Sequence, residues 1–479
     1  VNLHKLKDLP PVQIACQLAR ETGVPIYLVG GAVRDTLTGV FFAGDCDFAV
    51  GGKFEEIVAA FTHRIKGHAI PWDFHQTRIV YRTALGGFES VDFAQCKAPD
   101  IDGDLRLRDF TINAMAFDLR RLCETGDPAL IDPLGGRQDL QNKIIRMCSS
   151  RSFDDDPLRM LRAVRFARQF GYTIDFPTFS LCTEKHALIT GVSTERIKKE
   201  LFTILHLPTP AVSLRQLMQM GFMGIFLPQI AGWPHVEQCA PHEHTLFEHS
   251  MLTVEKLTHI FDDLAALCPA SARSVHQYFD EVLEEGVTRR ALLVFTALLH
   301  DSGKPGAAQE VGGKRHFHGH EQSGAIINKA IAERLGLGRR CRRAVELATA
   351  NHMRLLQLSL LEQPTPRAKV RLVRDCEDVV VEVVLLAIAD MMATSSDPAY
   401  LLRLESTRAL AAELIKKFFE TTLEQGNQQL LTGSDIMSEL AIDSCPRVGQ
   451  LLQELHRAER EGRINTRDEA LAWLKTKKD

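Results

Sequence analysis

The chain has 479 residues, of which 45% are hydrophobic and 25% charged, with a formal net charge of −4. That length requires several domains rather than one core, and the charge balance excludes a globally basic protein, so a nucleic-acid partner has to meet a local basic surface. The eleven cysteines include no CxxC pair, which disfavours a zinc ribbon or a disulfide framework and fits a cytoplasmic protein. No stretch is long and apolar enough for a membrane span, and no signal pattern opens the chain.

Residues 9–22 carry an amphipathic helical pattern. A short strand at 26–30 then runs into Gly30 and Gly31, and a helix is expected from about Ala32, with Arg34 and Asp35 in its first turn. Glycines lack a Cβ, so this turn admits a bulky anion close to the backbone, and the helix start with Arg34 favours a triphosphate; an ordinary solvated Arg34–Asp35 pair is the alternative. Asp45 and Asp47 follow, one residue apart in Gly44-Asp-Cys-Asp-Phe48. On a strand both side chains share a face, and two neighbouring carboxylates ask for a hard cation such as Mg2+. Either element alone is common; the ordered combination of phosphate cradle and metal carboxylates suits in-line nucleotidyl transfer.

Ile79–Arg82 and Ser90–Ala94 read as sheet partners, and Asp92 interrupts the apolar alternation of the second. It is either a functional carboxylate or a strand-end residue bound to backbone. Next, a charged run meets an expected helix in which Phe110, Ile112, Met115 and Ala116 form the core side. Arg108, Asp109 and Asn113 then project towards the pocket, the last two sharing a face at a spacing of four. Ile131–Gly136 is a turn by its proline and glycines.

In Phe153-Asp-Asp-Asp-Pro-Leu-Arg159, Pro157 fits a first helical turn, and Arg159, Arg162 and Arg165 recur every three residues. Asp155 and Asp156 lie four and three before Arg159, so acceptors and a guanidinium fork share a face and can bond the edge of a nucleotide base. A charge-balanced structural helix is the competing explanation, with Arg162 and Arg165 either holding phosphates or packing. Residues 180–230 read as helical, with Arg196, Lys198 and Lys199 either tracking an RNA backbone or lying on a solvated face.

From about residue 240 the chain turns histidine-rich. His249, the pair His300-Asp301 at the end of an apolar helix, and Asp390 offer imidazole and carboxylate ligands for a divalent metal that activates water for phosphoester hydrolysis. His320 and His352 are further candidates, while His242, His244, His316 and His318 remain unassigned.

Several of these strings resemble one family. Gly30-Gly31 with Asp45-x-Asp47 resembles motif A of the class II tRNA nucleotidyltransferase and bacterial poly(A) polymerase superfamily. Arg108-Asp-Phe-Thr-Ile-Asn-Ala114 resembles its ribose-recognition motif, with Leu107 in place of the usual first arginine. Asp155-Asp156-x-x-Arg159 resembles its base-selecting EDxxR motif, with aspartate for glutamate, and His249…His300-Asp301…Asp390 resembles the HD phosphohydrolase set, extended by His320 and His352 as in two-metal members.

The resemblance implies an α+β architecture. A small mixed α/β head with an antiparallel-type sheet would span 1–145, followed by an all-α neck (146–230), an HD domain (231–405) and a helical tail (406–479) that packs, contacts tRNA or dimerises. Asp45, Asp47 and Asp92 would be catalytic, the first two on Mg2+; Gly30, Gly31, Arg34, Arg108, Asp109, Asn113, Asp155, Asp156, Arg159, Arg162 and Arg165 would bind the nucleotide.

The expected activity is CCA addition to tRNA from CTP and ATP, with HD phosphohydrolase activity on a metal whose identity is open. The rivals are partial CC or A addition, poly(A) synthesis, and an HD phosphohydrolase with a nucleotide-sensing head. The short segment from Asp92 to Arg108 is a mark of CC-adding members, and the GRRF-type string of poly(A) polymerases is lacking.

Overall fold

The computed structural model describes residues 6–39, 46–73, 75–83, 86–312, 314–361, 364–427, 430–440, 442–443, 445–460, 463–464 and 466–477. Its head is built on a seven-stranded sheet in the order β3-β4-β5-β2-β1-β6-β7. The strands are β1 (Ile26–Val29), β2 (Cys46–Val50), β3 (His68–Asp73), β4 (Gln76–Arg82), β5 (Phe88–Gln95), β6 (Ala116–Asp118) and β7 (Leu130–Ile131). The sheet is mixed. β2 and β5 run parallel and the other neighbours are antiparallel.

The register decides which side chains meet. Phe48 on β2 lies beside Phe93 on β5, and both rings pack with Phe61 of the helix Phe54–Ile65 at centroid separations of 4.7–5.9 Å. Strand side chains alternate, so the intervening pair Asp47 and Asp92 points to the opposite face. There Val29 and Ala49 pack with Ile101 and Leu105 of the short helix Ile101–Arg106, leaving the carboxylates beside an apolar wall. A groove of about 1150 Å³ between the helix Phe54–Ile65 and β3 opens on the first face, away from the carboxylates.

Phe110–Phe117 is not the helix expected from its apolar spacing. Thr111–Asn113 forms one 3-10 turn, after which Ala116–Asp118 joins the sheet as β6. The reason is packing. Gly136 sits so close that a Cβ there would lie 2.1 Å from the Thr111 carbonyl oxygen, and the Thr111 hydroxyl is held by Asp139 at 2.7 Å. A further helical turn has no room.

Beyond the head the described chain is mainly helical. The neck contains Arg159–Phe170, Phe176–Lys185, Thr194–His206 and Pro210–Gln219, and the next region is organised by Leu246–Asp262, Arg289–Leu299, His320–Arg334, Arg339–Asn351 and Val380–Thr394. One hydrophobic core runs from the head through these helices. The helix Pro398–Asn427 crosses the 405/406 division expected from sequence, and its Leu404, Leu410 and Leu414 join that core. Residues 431–474 have a separate core of their own. No helix among the described residues is long and apolar enough to cross a membrane.

Candidate functional site

Two sites emerge, one in the head and one among the later helices. In the head, β1 ends in Gly30, whose φ of 71° and ψ of −134° suit glycine alone. The turn brings Gly30 against Asp47: a Cβ at residue 30 would lie 3.1 Å from Asp47 Oδ2 and 3.6 Å from Arg108 Nη1. Gly31 then opens the helix Gly31–Thr38. Arg34, in its first turn, is fixed by three contacts. Its Nε donates to Asp35 Oδ1 at 2.8 Å, its Nη1 to Asn113 Oδ1 at 2.8 Å, and its guanidinium lies 4.4 Å from the Phe170 ring centre. Arg34 and Asn113, distant in sequence, are thereby joined.

Asp47 and Asp92 are in-register neighbours on parallel strands. Asp45 lies outside the described residues. The Asp92 carboxylate accepts two hydrogen bonds from Arg78, at 2.8 and 2.7 Å, a contact the sequence reading did not anticipate. Asp109 is buried; its Oδ1 accepts from Asn113 Nδ2 at 3.3 Å, so the 3-10 turn brings together the pair that a helix was expected to align. Its Oδ2 lies 2.7 Å from Arg162 Nη2 in an ion pair, while the neighbouring Arg108 Nε is buried without a hydrogen-bond partner. A buried donor in that state is unusual and fits a ligand that completes it.

The base-reading string is arranged differently from expectation. Asp155 ends a separate helix, Ser152–Asp155, and is exposed; Asp156 is extended (φ −152°, ψ 101°), so no continuous helical face links Asp155 to Arg159. Arg159 reaches the head backbone, donating to the carbonyls of Arg108 at 3.1 Å and Leu107 at 2.9 Å. Asp156 accepts from Leu158 N and from Arg196 Nη2 at 2.8 Å. Arg165 is directed away to Glu200 at 2.7 Å and serves the neck packing. Lys198 pairs with Glu284 at 2.9 Å and is largely covered, while Arg196 and Lys199 remain exposed.

The second site gathers every ligand candidate proposed for it. Three overlapping triads, His242-His249-Asp390, His249-His300-Asp301 and Asp301-His320-His352, each place their ligand atoms within 4.8 Å of one another. The Nδ1 atoms of His300, His320 and His352 lie 2.8, 2.8 and 2.7 Å from the carbonyls of Ala297, Phe317 and Thr349. A carbonyl only accepts, so each Nδ1 carries a proton and each Nε2 faces inward, the arrangement of a metal-ligating imidazole once Nε2 is deprotonated. Asp301 spans the cluster, with Oδ2 3.2 Å from His300 Nε2 and Oδ1 3.1 Å from His320 Nε2.

Burial alone would lower the pKa of His300, but Asp301 and Asp390 reverse this and raise it to about 10. Burial likewise opposes the two carboxylates, and the facing imidazoles, with Lys304 beside Asp301, hold both well below the usual range. The pocket therefore stabilises positive charge. His249 Nε2, His300 Nε2 and Asp301 Oδ2 are buried without an aligned hydrogen bond, which fits a divalent cation.

Sequence reasoning left His242 unassigned and did not place Lys304 in the site. Burial and Lys304 push His242 down to about 4, so it is a neutral donor, and Lys304 Nζ touches Asp301 Oδ2 at 2.5 Å and Gln238 Oε1 at 2.6 Å. The Lys304 signal was the lysine three residues after Asp301.

Comparison with known proteins decides the lineage. Residues 26–146 match the poly A polymerase head domain, 171–233 the probable RNA and SrmB-binding site of polymerase A, and 246–394 the HD domain. The chain is 30% identical over 476 residues to the CC-adding tRNA nucleotidyltransferase of Geobacter sulfurreducens, covering 98% of this chain and 95% of that one. The chain belongs to the tRNA nucleotidyltransferase and poly(A) polymerase family. It is thus a nucleotidyltransferase with an HD domain. A second member of the family, the A-adding tRNA nucleotidyltransferase of Deinococcus radiodurans, is 31% identical over 475 residues, covering 93% and 94% of the two chains. The fold also matches a Thermotoga maritima CCA-adding enzyme solved in complex with tRNA, with a TM-score of 0.58 and 22% identity, covering 100% of this chain and 98% of that one.

Proposed function

We propose that this nucleotidyltransferase extends the 3′ end of tRNA, using CTP and adding at least the two cytidines of CCA. The observation that carries the reading is the register of Asp47 and Asp92 beside the Gly30–Gly31 turn, within reach of Arg108. The terminal 3′-hydroxyl oxygen loses its proton to solvent as it attacks the α-phosphorus; a P–O bond forms, the α–β anhydride breaks, and pyrophosphate leaves with its electron pair. Arg34 and the amides opening Gly31–Thr38 hold the triphosphate. Asn113, Asp109 and Arg108 hold the ribose. Asp156 and Arg159 select the base, each Asp156 oxygen keeping a second lone pair beside its present partner. The close approach of Gly30 to Asp47 leaves space that a Cβ would fill, and hard carboxylate oxygens suit Mg2+ held by Asp47 together with Asp45. Mg2+ supplies Lewis-acid activation there.

For the product, the connection from β5 to the helix Ile101–Arg106 spans only residues 96–100, and Asp100 caps that helix at once. This favours stopping after CC, with the adenylate of full CCA addition as the second reading. Incubation of tRNA ending before its CCA with labelled CTP and ATP, separately and together, tests both. CMP incorporation without AMP after CC supports CC addition, and AMP incorporation only after CC restores the full reaction. A chain that extends with many adenylates is a poly(A) polymerase. If Asp47→Ala leaves incorporation unchanged, the head is not the transferase site and the nucleotide-sensing reading replaces it.

For the HD domain we propose a metal-dependent phosphohydrolase held by His249, His300, Asp301 and Asp390, with His320 and His352 adjoining. Asp301→Ala is expected to abolish metal-dependent phosphoester hydrolysis; retained hydrolysis places its source elsewhere.

A further inference from the structure

We propose that Arg78 is a positioning residue for nucleotidyl transfer, holding the Asp92 carboxylate as an oriented anion beside Asp47. The inference rests on the reading of the head as the transferase site, and it assigns a role to a residue that belongs to none of the motifs above.

The geometry starts from the sheet. Arg78 on β4 is the antiparallel partner of Asp92, and Asp92 is the parallel partner of Asp47, so one rung carries Arg78, Asp92 and Asp47 across three neighbouring strands. Partners on a rung share a face. Two carboxylates side by side repel, and a repelled carboxylate swings away. Arg78 opposes that movement. Its Nε and Nη2 bond the two Asp92 oxygens at 2.8 and 2.7 Å, the fork-to-fork arrangement that fixes a carboxylate in plane as well as in charge. A lysine supplies one charge without that planar lock.

The guanidinium is itself supported. β3 carries a bulge between Pro71 and Asp73, and Trp72 at that bulge lies with its ring centre 4.3 Å from Arg78 Cζ. Trp72 is 57% exposed, a state that an apolar ring adopts at a cost unless the cation on its face repays part of it. Trp72, Arg78, Asp92 and Asp47 therefore form one chain of contacts from the sheet edge to the candidate reaction centre. Arg78 and Asp92 keep 39% and 32% of their side-chain surface open, so the pair contributes little to stability; its value lies in orientation.

The test is single-turnover CMP incorporation into tRNA with Arg78→Met, Arg78→Lys, Asp92→Asn and the double variant Arg78→Met/Asp92→Asn, alongside thermal melting and Mn2+ binding followed by electron paramagnetic resonance. Arg78→Met is expected to lower kcat about 10- to 100-fold with KM for CTP within about twofold of the parent, since 1.4–2.8 kcal/mol of transition-state positioning is lost. Arg78→Lys is expected to recover part of the loss. Mn2+ affinity in the head is expected to fall in Arg78→Met, with the melting temperature unchanged. If Arg78 acts through Asp92, adding Arg78→Met to Asp92→Asn lowers kcat no further.

An Arg78→Met enzyme with parental kcat overturns the inference, as does a loss of equal size in the Asp92→Asn background. Asp47→Asn separates the two levels: if it and Asp92→Asn silence transfer while Arg78→Met does not, only the positioning role fails. If Asp47→Asn remains active, the site reading itself fails.

Discussion

At residue scale, Gly30 shows how little freedom the head site has. Its φ of 71° with ψ of −134° is denied to residues with a side chain, and the missing Cβ faces Asp47 Oδ2 at 3.1 Å. Gly30→Ala should therefore displace either the turn or the carboxylate. We expect at least a 100-fold loss of kcat/KM for CTP, with the far-UV circular dichroism spectrum unchanged; activity within about threefold of the parent would show that the turn tolerates a methyl group. The glycine turn after β1 and the strand that carries Asp47 were legible in the sequence because each obeys a local rule, residues without a Cβ for one and period-two alternation for the other. Arg78 was not legible. Its partner Asp92 lies fourteen residues away on another strand, and only the β4–β5 register brings them together.

At the scale of elements, helix ends carry the chemistry and their far ends hold the helices in place. Arg289–Leu299 presents His300 and Asp301 just past its last turn. At its first residue, Arg289 makes a buried 2.6 Å contact with Glu382 on the helix Val380–Thr394, which itself carries Asp390. Burial raises the pKa of Glu382 while Arg289 opposes the rise, so Glu382 depends on the guanidinium for its charge. Arg289→Met leaves Glu382 buried without a counter-charge, held only by the Tyr278 hydroxyl at 2.8 Å, and should destabilise the HD region by about 3–5 kcal/mol. Arg289→Met/Glu382→Leu should recover most of that loss, as read from urea unfolding; equal destabilisation in both would assign the effect to lost packing. The apolar runs of these two helices made them legible in the sequence. The region from Phe110 to Phe117 misled because its apolar spacing has a helical period, while the close fit of Gly136 against the Thr111 carbonyl forces a 3-10 turn and a strand.

At the scale of the whole molecule, the head, neck and HD regions share one core, and charged contacts stitch them: Lys198 to Glu284 at 2.9 Å, and Arg215 to Glu248, the residue before His249, at 2.8 Å. The cluster of imidazoles and carboxylates lies inside this continuous structure, with His249, His300, Asp301 and His352 almost wholly buried. A divalent cation bound there prefers the folded state, because the unfolded chain cannot assemble ligands from five separate helices and their ends. At a free concentration 100 times its Kd, one such ion contributes about 2.7 kcal/mol. Stripping the protein with a chelator should therefore lower its melting temperature, and titration with Mn2+, Ni2+, Zn2+ or Mg2+ should restore it in the order of their affinities. The Asp301→Ala variant should show no such increment, because Asp301 belongs to two of the three triads. The Asp47→Asn variant should keep it, since its altered site lies in the head. A melting temperature indifferent to chelation in the parent would mean that Lys304, 2.5 Å from Asp301, already supplies the positive charge and that the cluster works as a buried structural network.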